Sequence, residues 1–238
     1  MSEGLARTVG ILALSEFVDR GHLPDKVASL FKSGATFNTW LHLAERFIKE
    51  TAPPRMRELG ELRDSIRLIE LLRKIKDVRN DSSHAHGVRA AHQLEEEAEA
   101  LEPLVVSALV TANWLSTIQW DWVEHCEYLD ESSYLLTGRR LRGSHLDWEA
   151  FERSSTYPMR PGRLYAGTDT TAETGQPVDL TPLGVVRICP QCHAYELFLI
   201  DLVRGGEITL RSLEEHSVRV TQSPATTEGG GGDESMSD

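Results

Sequence analysis

Apolar residues in the first half of the chain recur at spacings of three and four, which is the period of an amphipathic helix. The pattern predicts an opening helix over residues 5–18 and a helical stretch over residues 25–49, which Gly34 divides into two helices. Residues 51–55 contain two prolines and have the composition of a helix start. The long helix expected to follow has a core-facing stripe. The stripe consists of Leu59, Leu62, Ile66, Ile69 and Leu72.

The segment after Gly87 predicts the closing helix of a helical bundle. It is acidic over residues 95–102 and strongly apolar over residues 104–122, and Pro103 is expected to bend or divide it. The glutamates are interpreted as a solvated helix face, with a carboxylate cluster for a metal as the alternative. Three tryptophans are expected to pack in the core or at a dimer interface rather than to stack on nucleic-acid bases. They are Trp114, Trp120 and Trp122.

The second half of the chain has a different pattern, which begins near Cys126. Short β-prone runs separated by turn residues predict strands. The expected strands cover residues 134–142, 163–167, 178–188, 195–202 and 207–210. The sequence therefore predicts an α+β protein with three parts. These are an all-α helical domain over residues 1–125, a small antiparallel β-rich domain over residues 126–221, and a disordered acidic tail over residues 222–238.

The composition narrows the function classes. The chain has 238 residues, of which 40% are hydrophobic, so it can bury a core. Its formal net charge of −12 argues against a protein that coats nucleic acid through general basicity. A local basic site remains open, because residues 55–89 carry nine basic and six acidic side chains.

The cysteine count and the apolar segments predict a cytoplasmic protein. Three cysteines are too few for a disulfide framework. The N-terminus lacks the basic and apolar regions of a signal peptide. No apolar run reaches the roughly 20 residues that a membrane span requires. We therefore expect reduced thiols and no membrane association.

Residues 77–87, DVRNDSSHAHG, bring together groups that suit RNA cleavage. Metal-free cleavage needs a base for the 2′-hydroxyl proton, a proton donor for the leaving 5′-oxygen, and positive charge near the phosphate. His84 suits the proton transfers, because an unperturbed histidine has a pKa of about 6.5. Arg79 suits the phosphate, because a guanidinium stays protonated and binds two oxygens at once. These two residues form the candidate catalytic pair.

The residues between Arg79 and His84 predict a helix start. If Asn80 or Asp81 caps a helix, Ser83 and His84 lie in its first turn. A helix N-terminus attracts phosphate and disfavours a protonated imidazole, so His84 would be available as a base. Asn80 could instead bind the substrate or orient His84, and Asp81 and Ser83 are auxiliary candidates.

The RNDSSH stretch, with a long helix on each side, resembles a HEPN domain over roughly residues 1–125. Ribonucleases of that family carry Arg, a polar residue that is often Asn, three to five further residues, and His. The resemblance implies an all-α bundle and a homodimer in which two motifs face each other. It also implies metal-free cleavage to 2′,3′-cyclic phosphate and 5′-hydroxyl ends. A toxin or antiviral-defence role, with an antitoxin or defence-system partner protein, follows from the resemblance alone.

Two alternatives remain at this motif. The segment could be a solvated turn between two helices. The chain could also be an inactive HEPN-like dimerisation scaffold or a nucleotide-sensing adaptor of a defence or signalling complex. His86 occupies the position where some HEPN toxins carry a tyrosine that a partner enzyme modifies. Regulation through a modified tyrosine is therefore not available at this position. His86 is either a catalytic auxiliary or an ordinary surface histidine.

The stretch RICPQCHAYELFLID contains Cys189 and Cys192 in a turn of the zinc-ribbon type between two expected strands. A closed structural zinc site needs four ligands, and the chain has no second CxxC. A metal-free turn is therefore the alternative to zinc. Redox catalysis is disfavoured, because the βαβ setting of thioredoxin-like motifs is absent. The candidates for the remaining ligands are His193, His216, Cys126 and His125.

Overall fold

All the described helices of the computed structural model precede its strands. The structure describes residues 2–21, 27–64, 66–84, 90–142, 147–168, 176–205, 207–212 and 214–221. The α-helices are α1 (Ser2–Asp19), α2 (Val27–Leu30), α3 (Phe37–Ile48), α4 (Leu59–Asp64), α5 (Ile66–His84) and α6 (Ala91–Thr111). A 3-10 helix, Asn113–Thr117, follows α6. The mixed α+β composition predicted from the pattern is confirmed.

Helix α1 lies at the centre of the helical layer. Every residue from Val9 to Phe17 is buried, so this helix is covered on all sides. Its close contact with α3 depends on Gly10, because a Cβ at that position would lie 2.9 Å from the Cα of Trp40. Trp40 is itself fully buried. Gly34, between α2 and α3, has a φ of 89°, which glycine adopts without strain.

Gly10→Ala is expected to lower the free energy of unfolding by about 1–3 kcal/mol. The added methyl group would collide with the backbone of Trp40, and this outweighs the better helix propensity of alanine, which is worth about 1 kcal/mol. Gly4→Ala in the same helix is the matched control, because open space surrounds Gly4. Urea unfolding of both variants measures the difference. Equal stability of the two variants would contradict the proposed helix contact.

Helices α4 and α5 confirm most of the predicted amphipathic stripe. Leu59, Leu62, Ile69 and Leu72 are buried. The prediction was wrong for Ile66, whose exposed fraction is 59%. The helix start predicted at residues 51–55 was also wrong, since α4 begins only at Leu59. A tertiary contact explains this, because the backbone N–H of Arg55 donates to the buried carboxylate of Glu16 at 2.6 Å.

The closing helix is shorter than predicted. Helix α6 runs through Pro103 without dividing and ends at Thr111. Residues 119–122 then belong to a strand, β1 (Gln119–Asp130). Asp121 and Val123 are buried while their neighbours are half-buried, which is the alternation of a strand rather than a helix. The expected boundary between residues 125 and 126 therefore lies inside β1.

Eight further strands follow β1 in the described part of the chain. They are β2 (Ser133–Arg142), β3 (Asp147–Ser155), β4 (Arg163–Gly167), β5 (Val178–Asp179), β6 (Gly184–Ile188), β7 (Tyr195–Arg204), β8 (Glu207–Ser212) and β9 (Ser217–Thr221). They form one antiparallel sheet of order β3-β2-β1-β4-β5 and a second of order β6-β7-β8-β9. The single strand predicted over residues 178–188 is two strands in different sheets. The missed strands β3 and β9 are polar sheet edges, where the apolar pattern is weakest.

The helices and both sheets share one apolar core. The same cluster of buried side chains contains Leu12 of α1, Trp40 of α3, Leu164 of β4 and Phe198 of β7. Trp114, Trp120 and Trp122 are half-buried against this core, so their predicted packing role is confirmed. No described helix combines the length and apolarity needed to cross a bilayer. The predicted tail over residues 222–238 lies outside the described residues.

Candidate functional site

Four potential metal ligands meet at one end of the second sheet. Cys189 and Cys192 come from the turn between β6 and β7, Glu196 is the second residue of β7, and His216 immediately precedes β9. One ligand atom from each side chain lies within 4.8 Å of those from the other three. Two thiols, an imidazole and a carboxylate in this arrangement can hold a metal ion.

The turn that carries the cysteines is fixed by its own backbone. The N–H of Cys189 donates to the carbonyl of Ala194 at 2.8 Å, and the N–H of His193 donates to the carbonyl of Cys189 at 2.9 Å. The N–H of Gln191 points at the Sγ of Cys189, 3.4 Å away. Amides aimed at a sulfur are typical of metal-binding knuckles, because they stabilise a thiolate.

A second turn places His216 beside this knuckle. The N–H of Ser212 donates to the carbonyl of His216 at 2.8 Å and closes the connection between β8 and β9. Among the described residues, the non-glycine positions with positive φ are His193 at 60° and Glu215 at 66°. Each directly adjoins a ligand of the cluster. Backbone of this kind costs free energy and is concentrated at functional sites, so both turns favour a binding role.

A buried carboxylate lies at the centre of the cluster. Glu196 is 2% exposed, and one of its carboxylate oxygens lies 2.9 Å from the Sγ of Cys192 and 2.8 Å from the Nδ1 of His216. Burial raises the pKa of Glu196, but hydrogen bonds from Cys192, Ser212 and His216 outweigh it and lower that pKa overall. The hydrogen bond to this carboxylate raises the pKa of the Cys192 thiol.

The second carboxylate oxygen of Glu196 favours a metal ion in the cluster. It is buried and has no hydrogen-bond partner, which costs about 1–3 kcal/mol if nothing binds it. Tetrahedral zinc with bonds of about 2.0–2.3 Å places its ligand atoms roughly 3.3–3.8 Å apart. The 3.3 Å between the Sγ of Cys189 and the Nδ1 of His216 already matches that spacing. Small side-chain shifts would place all four ligands on one ion, since the Glu196 oxygen is closer than this to Cys192 and His216 and the widest pair lies within 4.8 Å.

The sequence identified part of this cluster. His216 was among the candidate ligands and joins the two cysteines. The cluster contains none of the other three candidates, and His125 and Cys126 belong to β1 in the first sheet. Glu196 was missed, although an acidic residue inside the apolar run YELFLI is a signal that a strand buries a carboxylate.

The structure overturns the predicted helix start in the RNDSSH motif. Helix α5 continues through Arg79 and Asn80 to His84, and the next helix begins at Ala91. Asn80 and Asp81 therefore do not cap a helix. The prediction that a helix N-terminus disfavours a protonated His84 imidazole is wrong. The strongly helical run before the motif extends across it, since nothing in RNDSSH breaks a helix. The side chains of Asp81, Ser83 and His84 and the whole of His86 lie outside the described residues.

The continuous helix also separates the two catalytic candidates. Positions 79 and 84 are five residues apart, which corresponds to about 140° around an α-helix. Positions 80 and 84 are four apart and share one face. The Arg79 and His84 positions of one chain therefore lie on different faces of α5, whereas the Asn80 and His84 positions lie on the same face.

Arg79 lies at a polar cavity of about 320 Å³ between α1, α3 and α5. Its guanidinium is 51% exposed and donates to the Glu3 carboxylate at 2.6 Å. Lys76, which lines the same cavity, lies 3.4 Å from the amide oxygen of Asn38. Thr36 also lines it and caps the N-terminus of α3 through the N–H of Thr39. The helix N-terminus beside Arg79 is thus that of α3.

The chain matches no model of a known protein family, no curated protein and no solved structure. The resemblance to HEPN ribonucleases therefore rests on the RNDSSH residues and their helical setting alone.

Proposed function

We propose that this protein is a metal-independent endoribonuclease of HEPN type that acts as a toxin or antiviral-defence effector. Arg79 and His84 are the proposed catalytic pair, with Asn80 in support. The observation that carries the proposal is the cavity where Lys76, Arg79, Asn80 and the start of α3 converge. Two cations and a helix N-terminus favour a phosphate there.

The roles follow from the chemistry of the side chains. Arg79 presents a planar fork of N–H donors that suits two phosphate oxygens, and in the structure it donates to the carboxylate of Glu3. Glu3 is half exposed, so water can solvate its carboxylate when a phosphate displaces it. His84 takes the 2′-hydroxyl proton and so frees the 2′-oxygen to attack the phosphorus, and an imidazolium returns a proton to the departing 5′-oxygen.

The separation of positions 79 and 84 around α5 supports a composite site. A second copy of the chain, related by a two-fold axis, would bring its His84 to the Arg79 of the first copy. Two arginines and two histidines in one cleft supply the base, the acid and the phosphate clamp. We propose a homodimer through the helical region, with an antitoxin or another defence-system protein as the regulator.

The test is RNA cleavage by the purified full-length protein. The protein, purified with zinc in the medium, is incubated with RNA in buffer free of magnesium and manganese, and again after a brief EDTA treatment. We expect cleavage in both, with 2′,3′-cyclic phosphate and 5′-hydroxyl ends identified by mass spectrometry. Cleavage that requires added magnesium, or products with 5′-phosphate ends, would refute this mechanism.

A non-catalytic scaffold or adaptor is the second candidate. The pairing of Arg79 with Glu3 and the absence of a helix start at Asn80 favour it, because both make the motif resemble an ordinary helix surface. A scaffold would form the same homodimer without cleaving RNA. The cleavage assay, made on protein whose molecular mass in solution is that of a dimer, separates the two candidates.

For the four-ligand cluster, we propose that the ion is zinc and that its role is structural. A set of two thiolates, one imidazole and one carboxylate suits zinc, and four protein ligands leave no open position for a substrate. The ion would tie the knuckle after β6, the start of β7 and the turn before β9 to one another.

A further inference from the structure

A cavity of about 700 Å³ lies between α1, the 3-10 helix, the first sheet and the second sheet. It is distinct from the cavity at Arg79, and none of the proposed zinc ligands lines it. Protein interiors are otherwise close-packed, and pockets for small organic molecules have volumes of about 300–1,000 Å³. The cavity is therefore large enough for a small-molecule ligand.

The two sheets give the cavity apolar walls. Trp120 of β1 and Leu141 of β2 lie half-buried on neighbouring strands of the first sheet. Leu197 and Leu199 of β7 line the cavity from the second sheet, and both are buried. Leu115 of the 3-10 helix adds a further apolar side chain. An indole among leucines favours a flat ring system, which gains a large contact area on its faces.

The two arginines of the cavity wall, Arg140 and Arg142, direct their guanidiniums away from these apolar side chains. They flank Leu141 in β2, and successive side chains of a strand point to opposite faces of the sheet. On that opposite face Arg140 donates to Asp121 at 2.7 Å, and Arg142 donates to Glu149 at 2.6 Å. None of the other described residues that line the cavity is charged. An anion would be buried there without a cation, which is costly, so the cavity favours a neutral ligand.

Three hydroxyl groups of the lining indicate which polar group the ligand carries. Thr8 of α1 donates to the backbone carbonyl four residues earlier at 3.0 Å. Ser116 and Thr117 of the 3-10 helix each donate to the carbonyl three residues earlier at 2.7 Å. A hydroxyl whose proton is engaged still accepts through its oxygen lone pairs. Ser116 and Thr117 are exposed, so the rim of the cavity offers acceptors to a ligand O–H or N–H.

We infer that this cavity binds a neutral, flat molecule of two or more fused rings that carries an O–H or N–H donor. The rings lie against Trp120 and Leu141 of the first sheet and against the two leucines of β7. The donor meets the hydroxyls of the 3-10 helix at the rim. The inference does not depend on RNA cleavage or on zinc, since the residues of those proposed sites do not line this cavity.

Calorimetry on the full-length protein tests the inference with three probes that share a naphthalene skeleton. 1-Naphthol is neutral and carries one donor, 1-methoxynaphthalene is neutral without a donor, and 1-naphthoate is an anion at neutral pH. We expect 1-naphthol to bind with a dissociation constant of about 100 μM or less. The other two probes should each bind about fivefold or more weakly, because one lacks the hydrogen bond and the other buries an unpaired charge.

Two variants place a larger side chain in the cavity. Leu141→Trp and Leu115→Trp are each expected to weaken the binding of 1-naphthol about tenfold or more, because the added ring occupies the space of the ligand. Leu135→Trp is the matched control, since Leu135 is a half-buried leucine of β2 that does not line the cavity. Its affinity for 1-naphthol should equal that of the wild type. Melting curves establish that each variant folds.

Several results would overturn the inference. One is the absence of 1-naphthol binding at about millimolar concentration. Another is binding of 1-naphthoate or 1-methoxynaphthalene as tight as that of 1-naphthol. A third is wild-type affinity in either cavity-filling variant once that variant is shown to fold. If both filling variants fail to fold, the three probes on the wild-type protein still decide.

Discussion

Cys189→Ser is expected to abolish zinc binding and to lower the melting temperature by about 10 °C or more. Cys189 is fully buried and is one of the four proposed zinc ligands, which come from three separate segments of the second sheet. Loss of the ion would leave the Glu196 carboxylate buried with one oxygen unpaired. Structural zinc sites stabilise small folds by several kcal/mol, and in a chain of this size each kcal/mol moves the melting temperature by about 2–4 °C.

The zinc content is measured by metal analysis and the melting temperature by calorimetry, on the wild-type protein and on Cys189→Ser. Cys126→Ser is the matched control, because Cys126 is a half-buried cysteine in β1 outside the cluster. We expect the control to retain one zinc per chain and nearly the wild-type melting temperature. A wild-type protein purified with zinc in the medium but without bound metal would show that the cluster is held by its hydrogen bonds alone.

Arg79→Ala and His84→Ala are each expected to lower the rate of RNA cleavage by about 10²–10⁴-fold while leaving the fold intact. The first removes the positive charge at the phosphate, and the second removes the proton transfers. Arg79 is a half-exposed residue whose ion pair with Glu3 contributes little to stability, so its loss should not unfold the chain. Initial rates on a labelled RNA and melting curves measure the two effects separately.

Arg73→Ala is the control for this experiment. Arg73 lies on the same helix, is 49% exposed and forms a comparable ion pair with Glu45 at 2.5 Å. Its removal should leave cleavage unchanged, because it lies outside the cavity that Arg79 lines. Similar losses in Arg73→Ala and Arg79→Ala would point to a general effect of charge on RNA binding rather than to catalysis.

Mixing the two inactive variants tests the composite site. In the shared cleft of a heterodimer, the intact Arg79 of the His84→Ala copy faces the intact His84 of the Arg79→Ala copy, whereas each homodimer of a variant lacks both arginines or both histidines. Equal mixing should therefore restore part of the wild-type rate, at most about half, because half of the dimers are mixed. Mixtures as inactive as the separate variants would place both residues in the site of one chain.

The local pattern of the chain predicted much of the secondary structure. Helix and strand periods depend on neighbours in sequence, which is why α1, the buried face of α5 and strands such as β4 were found from the sequence. The same reasoning failed at residues 119–122. An apolar run with tryptophans is compatible with a helix or a strand. Here it forms a strand, because β1 pairs with β2 and β4.

The residues of the candidate sites were also predicted only in part from the sequence. The residues of the knuckle were recognisable from the sequence, because Cys189 and Cys192 lie close together along the chain. His216 and Glu196 became ligands only through the register of the second sheet, which brings residue 216 beside a turn 27 positions earlier. Arg79 was found from its motif, but its cavity and the neighbouring helix N-terminus come from α3, more than 30 residues away.

The sequence by itself determined the types of side chain available for chemistry, the helical first half and the β-rich second half. Only the tertiary structure decided that α5 continues through the RNDSSH motif, that Glu196 joins the candidate metal ligands, and that Gln119 and Trp120 line a cavity. The physical reason is that side-chain periods depend on sequence neighbours. Burial of a carboxylate, an unpaired amide or a guanidinium depends on which distant segments pack around it.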